Sequence, residues 1–249
     1  MAQTQTQTQG ATDQRTQAAP QTQVVGVTAA RPGFTQGLTR PGWVNRLVRQ
    51  EAIVVADGSG SMNGRKARDA SAAILALVTE LAKPSNKDAF DTAVVAFDDG
   101  AEVALAPTKA TEAVPRLVGF NVVDGRGGST NITAGLQRAL DLVLQFEKTQ
   151  NTRLRPAVLL FSDGGHNVGA PPDAVADQLR QKADLVCVAY AGGDEILLRR
   201  LATSPQHFYR CTDGAALRQF LAQVGATMSM THARGCNATQ ALGQMQQQP

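Results

Sequence analysis

A carboxylate and two hydroxyls stand at alternate positions in the stretch VVADGSGSMNGRK. They belong to Asp57, Ser59 and Ser61, and the intervening Gly58 and Gly60 let the backbone turn tightly. Alternate residues of an extended loop face the same side, so the three side-chain oxygens would converge. Carboxylate and hydroxyl oxygens suit a hard cation such as Mg²⁺. The stretch is therefore compatible with a divalent-cation site, although taken alone it is more typical of a Ser/Gly turn that caps a helix.

Three other chemistries fit the same stretch less well. A dinucleotide fingerprint requires a glycine where Asn63 stands, and the Asp57 carboxylate would repel a pyrophosphate. A P-loop requires Lys and then Ser or Thr directly after its last glycine, but Arg65 follows Gly64. A nucleophile elbow requires a glycine two residues before and two residues after its serine, and neither Ser59 nor Ser61 has this spacing. Among these chemistries, a metal site fits the stretch best.

Two further segments carry oxygen ligands. The loop GGSTN, residues 127–131, brings Thr130 to the start of a strongly periodic helix, and FSDGG, residues 161–165, places Asp163 directly after an apolar strand. Since the carboxyl ends of parallel strands meet at one edge of a sheet, we expect both residues to lie near Asp57.

The rest of the sequence predicts the sheet that would position these residues. Apolar runs alternate with helical periodicity, which indicates an α/β fold with a doubly wound, mostly parallel sheet and helices on both faces. Glu102 interrupts one strand, which indicates a short edge strand. The predicted strands are 52–56, 91–97, 101–105, 157–161, 184–190 and 207–210, and the predicted helices are 67–81, 111–118, 132–143, 172–182, 195–202 and 217–228.

Composition divides the chain into four segments. Residues 1–30 are rich in Gln and Thr and lack the apolar groups that would offset their ordering entropy, so they are predicted to be disordered. Residues 31–49 form a lead-in whose Trp43 is predicted to pack onto the domain. Residues 50–232 form the folded domain, and residues 233–249 are predicted to be a second disordered tail.

Charge and cysteine content narrow the functional class. The net charge of +3 comes without a Lys/Arg block or interleaved aromatic residues, so no nucleic-acid partner is expected. No apolar run is long enough to span a bilayer, and the N-terminus does not resemble a secretory signal. The widely spaced Cys187, Cys211 and Cys236 do not form a disulfide framework. These features favour a cytoplasmic protein.

The three loops together resemble the metal-ion-dependent adhesion site of von Willebrand factor type A domains. Asp57, Ser59 and Ser61 match its D-x-S-x-S motif, Thr130 matches the threonine of the second loop, and Asp163 matches the aspartate of the third. The resemblance implies a bound Mg²⁺, with Mn²⁺ or Ca²⁺ as alternative ions. It also implies a non-enzymatic role in which a partner protein supplies a Glu or Asp to the metal.

Within that family the chain is similar to bacterial stand-alone members of the tellurium-resistance and stress-response type, which implies scaffolding with Ser/Thr kinases or protein phosphatases. Two alternatives stay open: a Mg²⁺-dependent hydrolase at the same site, and a domain that binds partners without metal. The third loop, DGGHN, lacks the second acidic residue that many members carry.

Three features near these loops receive simpler interpretations. Lys66 and its basic neighbours are predicted to form a solvated helix face. Asp98–Gly100 is predicted to be a turn. His166 is predicted to have a rim or solvated role beside the loops rather than to transfer protons.

Overall fold

The structure, a computed structural model, describes residues 48–150 and 153–245. Strands and helices alternate through that range. The strands are β1 Gln50–Asp57, β2 Phe90–Phe97, β3 Ala101–Lys109, β4 Ala157–Ser162, β5 Asp184–Tyr190 and β6 Phe208–Cys211. The helices are α1 Arg65–Leu81, α2 Ala110–Leu117, α3 Ile132–Thr149, α4 Asp173–Lys182, α5 Glu195–Leu201, α6 Gly214–Ala233 and α7 Thr239–Gly243.

The six strands form one sheet in the order β3-β2-β1-β4-β5-β6. All neighbouring pairs are parallel except β2 and β3, which are antiparallel. β1 lies in the interior of the sheet and every one of its residues is buried, which explains its continuous apolar run. The predicted fold class is confirmed.

Each face of the sheet is covered by a layer of helices. One apolar core receives Val54 from β1 together with the inner faces of α1, α2, α6 and α7, and the other receives Val55 with α3, α4 and α5. Neighbouring strand residues therefore enter opposite cores, as the pleat requires.

The order of the strands creates a crevice at one end of the sheet. From β1 the chain winds toward β2 and β3, and from β4 it winds the other way toward β6, so β1 and β4 flank the switch point. Ligands of doubly wound sheets bind outside the carboxyl ends of the strands at this point. Asp57 ends β1 and Asp163 follows β4. We call this edge of the sheet the rim.

Several elements extend beyond their predicted bounds, among them α3, which reaches Thr149, and α6, which spans Gly214–Ala233. β3 reaches Lys109, beyond the predicted 101–105, because its pairing with β2 continues through a register shift near Val94. The prediction of disorder is wrong for residues 233–245, since α7 packs into the core with Leu242 fully buried.

Several predictions about the N-terminal segments fall outside the described residues. These are the disorder of residues 1–30 and the packing of Trp43 in the lead-in. The described end of the lead-in contacts the domain, because the Arg49 guanidinium pairs with Asp91 on β2. Within the described ranges, no helix combines the length and apolarity that crossing a membrane requires.

Candidate metal centre

Asp57 is fully buried at the end of β1, and hydrogen bonds fix both of its carboxylate oxygens. Oδ1 accepts from the backbone N–H of Ser59 at 2.8 Å, and Oδ2 accepts from the hydroxyl of Ser162 at the end of β4. The carboxylate thus joins the two strands that flank the switch point. Ser162 is not among the site residues predicted from the sequence, although its position beside Asp163 at a strand end was a usable signal.

A chain of oxygens runs from the first loop to the third. The Ser59 and Ser61 hydroxyl oxygens lie 3.1 Å apart, and the Ser61 hydroxyl donates to Asp163 Oδ1 at 2.6 Å. Ser61 is exposed, whereas Ser59 and Asp163 are buried. The oxygen chain therefore opens to solvent at Ser61.

The two glycines of the first loop allow close approach to neighbouring backbone. An added Cβ at Gly58 would lie 2.9 Å from the Val122 carbonyl oxygen, and one at Gly60 would lie 2.9 Å from the Gly127 carbonyl oxygen. The Gly60 N–H also donates to the Gly128 carbonyl at 3.1 Å. Glycine is therefore required here to let the first and second loops touch.

Thr130 of the second loop is clamped by Asn167 of the third loop. The Thr130 N–H donates to Asn167 Oδ1 at 2.8 Å, and the Asn167 N–H donates to the Thr130 carbonyl at 3.1 Å. An added Cβ at Gly164 would lie 3.7 Å from the Thr130 hydroxyl oxygen, so this hydroxyl faces the third loop. Thr130 is a buried residue, and within the described part of the chain its hydroxyl makes no hydrogen bond.

The turn after β2 also supports the second loop. Asp99 Oδ1 accepts from the Ser129 N–H at 2.6 Å, and the Asp98 carbonyl accepts from the Asn131 N–H at 2.7 Å. Asn131 in turn caps α3, with its Oδ1 accepting from the Ala134 N–H at 3.1 Å. The predicted turn is confirmed, and it positions the loop.

The prediction of a solvated side chain is wrong for Lys66, whereas His166 has the rim position that was one of its two predicted roles. The Lys66 ammonium forms an ion pair with Asp163 Oδ2. His166 lies near the rim but is partly buried, and its Nδ1 accepts from the Ile132 N–H at 3.2 Å at the start of α3. Sequence spacing alone could not reveal either contact, because each joins the third loop to the start of a helix that is distant along the chain.

The rim contains two carboxylates, those of Asp57 and Asp163, that are close enough to interact electrostatically. The pKa of Asp57 is raised above its ordinary value, mainly because burial disfavours the charged form. Hydrogen bonds from Ser162 and Ser59 lower it, and the charge of Asp163 raises it. A cation between the two carboxylates would relieve both unfavourable effects.

The five predicted residues come together with a donor set that fits a hard divalent cation. Two carboxylates and three hydroxyls supply only oxygen, the ligand type that Mg²⁺ and Ca²⁺ prefer. The unpartnered Thr130 hydroxyl is available to such an ion. Across residues 48–150 and 153–245, no group of three or more His, Cys, Asp and Glu side chains could hold a metal, so a zinc-type cluster does not compete with it.

Comparison with known families agrees with this architecture. The family model described as the von Willebrand factor type A domain matches residues 52–223, and the chain belongs to this family. Its members are generally protein-interaction and adhesion modules, often dependent on metal. A search of curated proteins found no significant match.

Three solved structures illustrate the shared fold. Proximal thread matrix protein 1 from the mussel byssus, with a zinc-occupied MIDAS motif, is 21% identical with a TM-score of 0.58, covering 73% of this chain and 48% of that one. A von Willebrand factor type A protein from Catenulispora acidiphila is 21% identical with a TM-score of 0.59, covering 74% and 43%. The corresponding domain of the pilus tip protein Mfa5 from Porphyromonas gingivalis is 15% identical with a TM-score of 0.58, covering 74% and 96%. This chain thus matches less than half of the first two.

Proposed function

We propose that this chain is a protein-binding module that captures its partner through a divalent cation. The ion is Mg²⁺, with Mn²⁺ or Ca²⁺ as alternatives, and its ligands are Asp57, Ser59, Ser61, Thr130 and Asp163. A Glu or Asp of the partner completes the coordination. The observation that carries this proposal is the meeting of three loops at the switch point, where the hydroxyl of Thr130 lacks a hydrogen bond within the described residues.

The chemistry of the ligands favours a bridge over a closed structural site. Mg²⁺ takes six oxygen ligands, so the five from the protein leave one position for exchange. Ser61 is exposed at the solvent side of the rim, where a carboxylate from outside could approach. Carboxylate is a suitable ligand for a hard cation.

Binding is favoured over the hydrolase alternative by the contacts of His166. Hydrolysis would call for a general base directed at a metal-bound water. His166 Nδ1 is committed to the first N–H of α3, and within the described part of the chain its buried Nε2 has no hydrogen-bond partner. The histidine beside the rim thus stabilises the loop.

The cellular setting is a finer part of the proposal. We propose a cytoplasmic bacterial scaffold of the tellurium-resistance and stress-response type that works with a Ser/Thr kinase or protein phosphatase. Its support is the resemblance of the motif and of the closing stretch LRQFLAQV, residues 217–224. Phosphopeptide mapping of the producing cell tests the link, which predicts phosphate on the Thr-rich N-terminus; unmodified threonines would contradict it.

Capture of partners on the immobilised full chain tests the proposed function. Lysate is passed over the chain in millimolar Mg²⁺, over the chain in EDTA, and over Thr130→Ala in Mg²⁺. Ser129→Ala is the matched control, because it removes an exposed hydroxyl from the adjacent position. We expect a partner to be retained by the wild type and Ser129→Ala in Mg²⁺ only. A partner retained under all conditions would support metal-independent binding instead.

A further inference from the structure

Lys66 brings a positive charge to the candidate metal centre. It is the second residue of α1, which starts directly after the first loop, and its ammonium donates to Asp163 Oδ2. The Asp163 side chain is fully buried, whereas the Lys66 side chain is 35% exposed. The lysine therefore covers the buried carboxylate from the solvent side.

Both oxygens of Asp163 have protein donors. Oδ1 accepts from the Ser61 hydroxyl at 2.6 Å and Oδ2 accepts from Lys66. Asp57, by contrast, receives its hydrogen bonds from neutral donors, the Ser59 N–H and the Ser162 hydroxyl. The Lys66 ammonium thus pairs with the carboxylate of Asp163 and not with that of Asp57.

The charges of these groups determine what the site would attract. Asp57, Asp163 and Lys66 together carry a net charge of −1 when all three are ionised. A divalent ion brings the assembly to a positive charge, which one carboxylate from outside neutralises. Without Lys66 the loaded site would already be neutral before any partner arrived.

We propose that Lys66 determines the ligand preference of the metal centre. By offsetting the charge of Asp163, it lowers the affinity of the site for the divalent ion. It also leaves the metal-loaded site with a positive charge, so that the site selects an anionic ligand. This inference rests on the proposed function, because it concerns the same ion.

Manganese titration of the full chain tests the first half of this inference. Lys66→Met should bind Mn²⁺ about tenfold more tightly than the wild type by calorimetry, the scale expected for one nearby charge in a partly hydrated site. Lys66→Arg keeps the charge and should restore wild-type affinity. Arg68→Met removes an exposed cation from the same helix and should also behave as wild type, because its side chain has no ion pair within the described residues.

Acetate, used as a minimal carboxylate probe, tests the second half. Broadening of the acetate NMR signal by the Mn²⁺-loaded chain reports its binding, which should weaken about fivefold in Lys66→Met and stay unchanged in Lys66→Arg and Arg68→Met. A purely structural role for Lys66 would not lower acetate binding while raising Mn²⁺ affinity. Cooperative thermal unfolding checks each variant, and Lys66→Gln replaces Lys66→Met if the latter does not fold.

The outcomes separate this inference from the proposed function. If Lys66→Met binds Mn²⁺ as tightly as the wild type or more weakly, the role of Lys66 is overturned but the proposed function is not. Unchanged acetate binding would overturn the ligand preference. An absence of Mn²⁺ binding by the wild type would overturn the proposed function and this inference together.

Discussion

Asp57 shows how the candidate ligands are positioned one residue at a time. Its carboxylate is fixed by one donor from its own loop, Ser59, and one from a neighbouring strand, Ser162. The alternate spacing of Asp57, Ser59 and Ser61, together with the family resemblance, led to the prediction of five candidate ligands, and that assignment stays a prediction. The supporting contacts of Asn167 and Lys66 were not predictable, because each depends on how segments distant along the chain meet in space.

The contact between the first two loops can be tested at Gly60. Gly60→Ala should destabilise the chain by about 1–3 kcal/mol and weaken Mn²⁺ binding, because the new Cβ would lie 2.9 Å from the Gly127 carbonyl oxygen. Urea denaturation and calorimetry measure the two effects. Gly100→Ala is the control, since an added Cβ there meets nothing within 4 Å. Equal behaviour of the two variants would show that the loops do not require this contact.

The clamp on Thr130 can be tested at Asn167. Asn167→Ala removes the side-chain oxygen that accepts from the Thr130 N–H at 2.8 Å, and should cost about 1 kcal/mol of stability. Hydrogen exchange at the Thr130 amide should accelerate and Mn²⁺ affinity should fall. Val168→Ala, at the next and partly exposed position, should leave both unchanged. Undiminished protection of the Thr130 amide in Asn167→Ala would contradict the clamp.

At the scale of elements, the interior strands of the sheet were the most predictable. β1, β2, β4 and β5 are buried except at Asp91 and contain continuous apolar runs, so periodicity and flanking turns located them. The edge strand β3 was underestimated because its exposed residues do not distinguish a strand from a loop. α7 was not predicted, because the few apolar residues of this segment are outnumbered by polar ones in a Gln-rich stretch.

The N-terminal half of β1 contains a buried acid that predicts a pH effect. Glu51 is fully buried, and within the described residues its carboxylate oxygens have no hydrogen-bond partner. Burial, with a smaller contribution from the charge of Asp91, raises its pKa from 4.5 to about 8. The folded chain thus keeps a proton that the unfolded chain has lost between these two values.

Stability should therefore decrease as pH rises from about 4.5 to 8, and Glu51→Gln should remove this decrease. The variant should match the wild type near pH 4.5 and exceed it by up to about 4 kcal/mol at pH 8. Urea denaturation across this range measures the difference. Glu112→Gln, at an exposed position of α2, should follow the wild type. Parallel pH profiles for Glu51→Gln and the wild type would show that Glu51 ionises normally.

At the scale of the whole molecule, the C-terminal segment completes the fold. The Tyr209 hydroxyl donates to the Leu242 carbonyl, and Thr239 donates to the Asp184 carboxylate at 2.8 Å. These contacts join α7 to β6 and to the start of β5. The folded unit therefore extends beyond the boundary at residue 232 that composition indicated.

Leu242 tests the contribution of α7 to the whole molecule. Leu242→Ala should lower the free energy of unfolding by about 2–4 kcal/mol, because it leaves a cavity where a fully buried side chain packed. Gln240→Ala changes an exposed residue of the same helix and should stay within about 0.5 kcal/mol of the wild type. Denaturant unfolding measures both. A neutral Leu242→Ala would indicate that α7 does not stabilise the domain.

The most direct test of the proposed metal site is a crystal structure of the full chain grown with Mn²⁺ and its anomalous difference map. The proposed site predicts one peak at the rim, within about 2–2.5 Å of the Ser59 and Ser61 hydroxyl oxygens. It also predicts that this peak disappears in crystals of Asp57→Asn. A map without a peak at the rim, or a peak that persists in Asp57→Asn, would contradict the assignment of the three loops as a metal centre.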